Sequence, residues 1–301
     1  MAAAWTPERP VEIFAGTPPG GGLDRTARTL AAALEVNSTV VNIPGDGARR
    51  VWASVDSRAG DAHVLCISSP NLTTDYLTGI ATFNHASYTP LAILYNEYIA
   101  FVTRSDSSYC NAGDLLKRLS AADTARVTVA LSTAAGNPNH IALAQVTQHA
   151  GGNVRAPVIR VFDSALYAVA DVVAGNADIA AVTAASAVDE LAAGTLRALA
   201  VSSPARLAGA YAQTPTWLEL GVPCTTGAWR GVHGAHGIGA AQITYWQTAL
   251  TRATQAASWA NELTRHYWTP LLLTSTALHE QLVREESQMR TMLTELSLIK
   301  L

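Results

Sequence analysis

Short apolar runs alternate along the chain with loops of small residues and with segments in which apolar positions recur at helical spacing. The apolar runs predict strands at 11–17, 39–43, 63–68, 98–103, 126–132, 156–162, 177–183 and 196–202. The helical spacing predicts helices at 23–34, 71–77, 112–121, 138–150, 165–174, 184–193, 241–258 and 276–296. Because such alternation is typical of βα units, the pattern predicts an α/β protein with mostly parallel sheets flanked by helices.

The length and composition of the chain predict two lobes. Its 301 residues, of which 49% are hydrophobic and 14% charged, exceed the size at which one hydrophobic core usually stops growing. Polar or Pro/Gly-containing stretches follow strand 98–103 and occupy 221–227. We therefore expect one lobe of residues 1–103 plus 222–301 and a second lobe of residues 104–221, with a hinge where the chain crosses between them.

The charge balance argues against nucleic acid as a partner. The chain has 20 basic and 23 acidic side chains, a formal net charge of −3, and no basic run longer than the pair Arg49–Arg50. A small anionic ligand is compatible with this charge, because local dipoles can outweigh net charge. No apolar stretch reaches the roughly 20 residues that cross a bilayer.

The start of the chain, Met1 to Trp5, lacks the basic and long apolar regions of a signal peptide. We interpret it as a mature chain from which a signal peptide has been removed, although a cytoplasmic protein would begin in the same way.

The cysteines Cys66, Cys110 and Cys224 leave two arrangements open: one disulfide with a free thiol, or three buried thiols. Cys66 lies in an apolar run, which favours burial.

A glycine-rich loop, Thr17-Pro-Pro-Gly-Gly-Gly-Leu-Asp24, joins the first predicted strand to the first predicted helix. Its prolines end the strand, and its three glycines allow a ligand to approach the backbone closely. The first N–H groups of the following helix carry partial positive charge and can bind a carboxylate without Lys or Arg. Asp24 is expected to cap this helix or to be its first-turn acid. A valine at Gly21 is expected to reduce ligand affinity far more than stability.

Two further loops join a strand to a helix in the same manner. In the loop 132–140, Asn137 followed by Pro138 is typical of an N-cap with proline at the first helical position. Ser132, Thr133 and Asn139 add neutral donors to this loop. In the third loop, Phe162-Asp-Ser164, either polar residue is expected to cap the helix that follows.

All three loops follow carboxyl ends of strands, where open parallel sheets bind ligands. If the first loop belongs to one lobe and the other two to the facing lobe, a cleft lined by helix starts suits a small dianion or trianion. Any one loop alone is equally consistent with a simple turn. The residues expected to bind the ligand are Thr17, Pro19, Gly20, Gly21, Gly22, Asp24, Ser68, Ser69, Asn71, Ser132, Thr133, Ala134, Asn137, Asn139, His140, Phe162, Asp163, Ser164 and Thr183.

Seven segments, in order along nearly the whole chain, resemble the substrate-binding proteins of tripartite tricarboxylate transporters, also called the Bug family. The first loop is similar to that family's PPGGGxD loop, and the loop 132–140 to its second Gly/Ser-rich ligand loop. The other matching segments are Phe162-Asp-Ser164, Val173-Ala-Gly-Asn-Ala-Asp178, Ala192-Ala-Gly-Thr-Leu-Arg-Ala-Leu-Ala-Val201, Pro215-Thr-Trp-Leu-Glu-Leu-Gly-Val-Pro223 and Trp229-Arg-Gly-Val232.

The resemblance implies a two-lobed periplasmic-binding-protein fold of the Venus-flytrap type and an extracytoplasmic location. It implies a monomeric receptor, not an enzyme, that needs no cofactor, captures a small di- or tricarboxylate and delivers it to an integral-membrane permease of a tripartite transporter. In such proteins the ligand carboxylates are held largely by backbone amides, hydroxyls and ordered water.

Two departures from the family pattern concern the ligand. Ala134 and Ala135 stand where glycine is common and are expected to narrow the pocket. Asp163 is an anion beside an expected anion site, so it either faces away as a cap or receives a ligand hydroxyl or ammonium group.

Other classes of site are less consistent with the residues. Leu23-Asp24 after the glycines lacks the Lys-Ser/Thr of a P-loop, and the chain contains no G-x-S-x-G nucleophile motif. His233 and His236 lie in a glycine-rich segment that we interpret as a loop rather than a metal site. His140 is either a catalytic base or, as we favour, a packing or capping residue.

Aromatic and acidic residues near the end of the chain are interpreted as structural. Trp229, Tyr245 and Trp246 are expected in the core or hinge rather than stacked on a ligand. Glu280, Glu285 and Glu286 are expected on a solvated helix face. The alternative functions are an α/β enzyme that acts on a carboxylate and a sensor partner that presents a ligand to a receptor.

Overall fold

The computed structural model describes residues 5–120 and 127–300. Met1 and the predicted limits Ala121 and Arg126 of a helix and a strand lie outside these ranges. Contacts divide the chain into a first unit, Met1–Asn96 with Trp229–Gln288, and a second unit, Glu97–Ala228 with Met289–Leu301.

The strands and helices follow the predicted alternation. The strands are β1 (Val11–Ala15), β2 (Ser38–Asn42), β3 (Val64–Ser68), β4 (Thr89–Asn96), β5 (Ile99–Arg104), β6 (Thr128–Ser132), β7 (Val158–Phe162), β8 (Ile179–Thr183), β9 (Leu196–Val201), β10 (Arg230–Gly234) and β11 (Thr269–Leu273). The helices are α1 (Gly22–Ala33), α2 (Arg50–Asp56), α3 (Asn71–Leu77), α4 (Ala112–Ser120), α5 (Pro138–His149), α6 (Ala165–Val173), α7 (Val188–Ala192), α8 (Ala240–Thr254), α9 (Ala257–Arg265) and α10 (Ser275–Glu295).

The unit limits differ from the predicted lobes at both connections. The predicted limit at 103/104 falls inside β5, which pairs along its length with β8 and β9 and therefore belongs to the second unit. Beyond the predicted limit at 221/222, the Ala228 N–H donates to the Glu97 carbonyl, which keeps this segment in the second unit as well. The end of α10, from Met289 onward, also belongs to the second unit, where Gln148 donates to Glu295.

In the first unit, the described residues form a six-stranded sheet in the order β11-β4-β10-β3-β1-β2. β2, β1 and β3 are parallel, whereas β10 is antiparallel to both of its neighbours, β3 and β4. The carboxyl ends of β1 and β3 therefore lie at the same edge as the amino end of β10, where Gly231 pairs with Ser68.

In the second unit, the described strands form a five-stranded sheet in the order β7-β6-β8-β5-β9. β7, β6 and β8 are parallel, and β5 is antiparallel to β8 and β9. Ser132 pairs with Phe162 at the ends of β6 and β7, so the loops that follow these strands leave the same edge. Both sheets are mixed rather than mostly parallel as predicted, because each contains strands that no helical crossover precedes.

Each unit has its own hydrophobic core. In the first unit, Trp246 is fully buried and its Nε1 donates to the Ala62 carbonyl at 2.8 Å, which confirms its structural role. In the second unit, Phe101 and Trp217 are fully buried and their rings meet edge to face, with centroids 5.1 Å apart. The predicted burial of Cys66 is confirmed, and all three cysteines are free thiols.

Several elements of the structure differ from the prediction or are absent from it. Besides α2 and α9, the missed elements are β4, β10 and β11, the strands of the antiparallel half of the first sheet. The segment containing His233 was interpreted as a loop, yet it lies on β10, fully buried. Close strand packing requires a glycine at 231, because a Cβ there would lie 2.6 Å from the Ala92 carbonyl oxygen. The predicted helix 184–193 is a one-turn 3-10 segment, Ala184–Ser186, followed by α7.

Glu285 is not on a solvated helix face as predicted. Trp229 is buried, and its indole Nε1 donates to a Glu285 carboxylate oxygen at 2.6 Å. Burial raises the pKa of Glu285 to about 7, although the Trp229 hydrogen bond acts in the opposite direction. None of the described helices is both long enough and apolar enough to span a membrane.

Candidate functional site

The loop that follows β1 is organised around the carboxylate of Asp24. Asp24 is 1% exposed and accepts hydrogen bonds from the Gly20 N–H at 2.8 Å, from Asn42 Nδ2 at 2.8 Å and from Arg28 Nε at 3.0 Å. Burial alone would raise the pKa of Asp24, but these three donors hold it below its usual range. Asp24 is therefore a first-turn acid, as predicted, and its carboxylate is already used by donors of the protein.

The amino end of α1 keeps backbone donors available. Its N-cap is Gly21, whose extended backbone supplies no capping side chain. The Asp24 N–H donates to Thr17 Oγ1 at 3.1 Å, whereas the N–H groups of Gly22 and Leu23 have no acceptor in the described part of the chain. Such unpaired amides, together with the helix dipole, attract a carboxylate.

The three glycines of this loop have different roles. Gly20 has a φ of +83°, which favours glycine. A Cβ on Gly21 would lie 2.7 Å from Thr17 Oγ1, so a valine there would disturb the loop itself. A valine there is therefore expected to lower stability as well, and a much greater loss of affinity than of stability stays a prediction. A Cβ on Gly22 would meet only Arg230 Nη2, at an ordinary 3.7 Å.

The predicted residues Ser68, Ser69 and Asn71 lie in the same unit, at the end of β3 and the start of α3. Together with Leu23 of α1 they line one small cavity, so the structure brings them to the amino end of α1. Ser68 Oγ lies 2.8 Å from Nδ1 of the buried His233. Burial lowers the pKa of His233 to about 3, so its ring is neutral.

In the second unit, the loop that follows β6 is closed by its own side chains. Asn137 caps α5 through its Oδ1, which accepts the His140 N–H at 3.1 Å, and Pro138 is the first helical residue. Both features are as predicted. Asn137 Nδ2 donates to the Ser132 carbonyl at 2.6 Å, and Asn139 Nδ2 donates to Ser132 Oγ at 3.1 Å. Thr133 has a φ of +67° and donates its N–H to the Phe162 carbonyl.

His140 is a capping residue of this loop. Its Nδ1 accepts the Gly136 N–H at 3.0 Å, and burial lowers the pKa of the ring to about 4. The neutral ring therefore carries its proton on Nε2, where it is a donor. The predicted Ala134 is also buried in this loop.

The third loop leaves the same sheet edge. Ser164 is the N-cap of α6, but its side chain makes no capping hydrogen bond. Asp163 is exposed. Thr183, at the end of the neighbouring β8, lies with its Oγ1 3.0 Å from Ser186 Oγ. The side-chain cap expected from Asp163 or Ser164 is therefore not formed by Ser164.

Each of the three predicted helix starts thus retains unpaired backbone donors. Besides those of α1, the N–H groups of Asn139, Ala165 and Leu166 have no acceptor among residues 5–120 and 127–300. The unpaired N–H groups at the start of α1 lie at one edge of the first unit's sheet. Those at the starts of α5 and α6 lie at one edge of the second unit's sheet. Within the described residues, no group of three or more His, Cys, Asp or Glu side chains could hold a metal ion.

Four residues near the first helix start were missed in the sequence: Arg49, Asp75, Arg230 and His233. Arg230 is 8% exposed and lies at the amino end of β10, so the antiparallel pairing brings its guanidinium to the start of α1. The Trp-Arg-Gly-Val run that contains it was recognised, but its strand was not. No local signal marks Arg49 and Asp75, which meet only in the folded unit.

The comparisons with known proteins agree with this architecture. The model of the tripartite tricarboxylate transporter family receptor matches residues 25–298. No curated protein matches the chain. A TctC solute-binding protein from Polaromonas is 23% identical, with a TM-score of 0.68, and the alignment covers 96% of this chain and 99% of that chain.

Two solved structures from Rhodopseudomonas palustris are also similar. Rpa4515 with adipate is 18% identical, with a TM-score of 0.86 over 98% of this chain and 99% of that chain. MatC with bound malate is 19% identical, with a TM-score of 0.78 over 95% and 99%. These likenesses confirm the predicted periplasmic-binding-protein fold, and the family match covers most of the sequence. The chain therefore belongs to the family of tripartite tricarboxylate transporter receptors.

Proposed function

We propose that this protein binds a small di- or tricarboxylate outside the cytoplasm and delivers it, chemically unchanged, to the membrane permease of a tripartite transporter. The observation that carries the proposal is the set of unpaired N–H groups at the starts of α1, α5 and α6. Family membership supports the permease as partner and the extracytoplasmic location.

The donors that we assign to the ligand carboxylates are neutral. In the first unit they are the amides of Gly22 and Leu23 with the Ser69 hydroxyl, and in the second unit the amides at the starts of α5 and α6 with His140 Nε2. One helix start contributes about 0.3–1 kcal/mol when exposed and up to ~2 kcal/mol when partly buried. Several of them with hydroxyl donors are consistent with micromolar affinity, which requires about 8 kcal/mol.

The ligands in two similar structures, adipate and malate, support a dicarboxylate. Both ligands carry a carboxylate at each end of a short chain. Closure of the units over the ligand and a monomeric state stay predictions. A binding role also explains why the carboxylate of Asp24 shapes its loop instead of presenting an acid or base to a ligand.

Thermal unfolding with a panel of carboxylates tests the proposal. At a hundredfold excess over its Kd, the ligand should add about 2.7 kcal/mol to the free energy of unfolding. Calorimetry should then give one site per chain, and the acid should be recovered unchanged after prolonged incubation. Stabilisation by sugars or amines but by no carboxylate would refute the ligand class, and loss of the acid with appearance of a product would refute a purely binding role.

A further inference from the structure

A small cavity lies beside the amino end of α1 in the first unit. Its lining includes Leu23, Arg49, Ser68, Ser69, Asn71 and Asp75. Its free space is about 20 Å³. A single water molecule needs roughly 10–15 Å³ of such space, so the cavity holds one small group and no more.

The carboxylate of Asp75 lines this cavity and lacks a donor. Its side chain is 4% exposed, and Oδ2 lies 3.6 Å from Nη1 of Arg49, an ion pair too long for a hydrogen bond. Its other oxygen, Oδ1, is buried and accepts no hydrogen bond from the described residues. A buried carboxylate oxygen without a donor is unfavourable, so a group that donates a hydrogen bond is needed in the cavity.

The chemistry of the cavity distinguishes among donors. Another carboxylate would be repelled by Asp75 and is too large for the space. An ammonium group would be repelled by Arg49, which already supplies the positive charge opposite Asp75. A neutral hydroxyl has the right size and donates one hydrogen bond. Burial raises the pKa of Asp75 to about 6, so above neutral pH it is mainly an ionised acceptor.

We infer that the cavity beside Asp75 binds a hydroxyl group of the ligand, and that the protein therefore prefers hydroxy-substituted carboxylates to their unsubstituted counterparts. This inference rests on the proposed function, because it places a ligand carboxylate at the amides of Gly22 and Leu23. Leu23 belongs to this helix start, and it lines the cavity together with Ser68 and Ser69. A hydroxyl next to the bound carboxylate would thus reach Asp75.

Calorimetric titration with two matched pairs of acids tests the inference. The pairs are malate with succinate and citrate with tricarballylate, since each differs by one hydroxyl group. For whichever pair binds, we expect the hydroxy acid to bind at least tenfold more tightly to the unaltered protein. Asp75→Leu should remove most of that ratio, whereas Asp46→Asn, at an exposed acid of the same unit, should preserve it.

The possible results separate failure of the hydroxyl preference from failure of the proposed function. Equal affinities within both pairs for the unaltered protein would overturn the hydroxyl preference and leave a carboxylate receptor intact. Binding of none of the four acids, and of no other carboxylate in the thermal panel, would overturn the proposed function together with the inference. A crystal structure with the bound hydroxy acid should show its hydroxyl at hydrogen-bond distance from Asp75 Oδ1; an ordered water there instead would also overturn it.

Discussion

The Nδ1 atom of His233 lies 2.8 Å from the Oγ atom of Ser68, across the antiparallel pair of β10 and β3. The other ring nitrogen, Nε2, is buried and has no partner in the described part of the chain. A buried N–H without an acceptor is rarer in proteins than an under-used acceptor. The proton therefore belongs on Nδ1, which donates to Ser68 and leaves the Ser68 hydroxyl proton free to point away from the ring.

Removal of the Ser68 hydroxyl should destabilise the first unit. In Ser68→Ala, the buried Nδ1–H of His233 loses its acceptor, which should lower the free energy of unfolding by about 1–3 kcal/mol. Urea denaturation measures this change. Ser57→Ala, at an exposed serine at the end of α2, is the control and should change stability by less than about 0.5 kcal/mol. Equal stability of the two variants would show that the Ser68–His233 hydrogen bond is not formed.

A methyl group at Gly22 should obstruct the ligand without harming the fold. Gly22 is the first residue of α1, and its Cβ would make only ordinary contacts, so Gly22→Ala should change stability by less than about 1 kcal/mol. Carboxylate affinity should fall at least fivefold, because the methyl group lies beside the two unpaired amides. Gly239→Ala, at the start of α8, should leave affinity unchanged. Unaltered affinity in Gly22→Ala would place the ligand elsewhere.

Loss of the Asp24 carboxylate should open the loop that precedes α1. Asp24→Ala leaves the Gly20 N–H without its acceptor and removes one of the two acceptors of Asn42 Nδ2, so the free energy of unfolding should fall by about 2–3 kcal/mol. Ligand affinity should fall as well, because the loop positions the α1 amides. Asp189→Ala, at an exposed first-turn acid of α7, should have little effect on either quantity. Matching results for the two variants would contradict this role of Asp24.

The Trp229–Glu285 pair should make stability depend on pH. Because burial raises the pKa of Glu285 to about 7, the folded protein keeps this proton at pH values where the unfolded chain, with a pKa near 4.5, has lost it. The stabilisation is complete below pH 4.5 and is lost as pH rises towards and past 7. Its size is on the order of a few kcal/mol.

Urea denaturation at several pH values between 4.5 and 8 measures this effect. Glu285→Gln keeps an acceptor for Trp229 and does not titrate, so its stability should decline less with rising pH than that of the unaltered protein. Glu280→Gln, at an exposed position of the same helix, should reproduce the unaltered dependence. If the Glu285→Gln and unaltered curves run parallel, the carboxyl is not titrating in this window.

Local sequence signals were sufficient for much of the fold. α3 has the bounds that its pattern predicts, and Asn137 caps α5 as expected, because a cap is made by residues a few positions apart. β10 could not be recognised in the same way. Two of its five residues are glycines, and the presence of Gly231 in a strand is explained only by the nearness of Ala92, which is far away in the sequence.

The α/β class, the three helix starts and the family resemblance follow from residues that are neighbours along the chain, since strand alternation, caps and glycine loops are local. The mixed order of the sheets, the orientation of Asp24 towards its own loop, and the meeting of Arg49 with Asp75 and of Ser68 with His233 are set by the folded units. Pairing between distant strands brings these groups together, and the energetic requirement to satisfy buried polar atoms then decides where each side chain points.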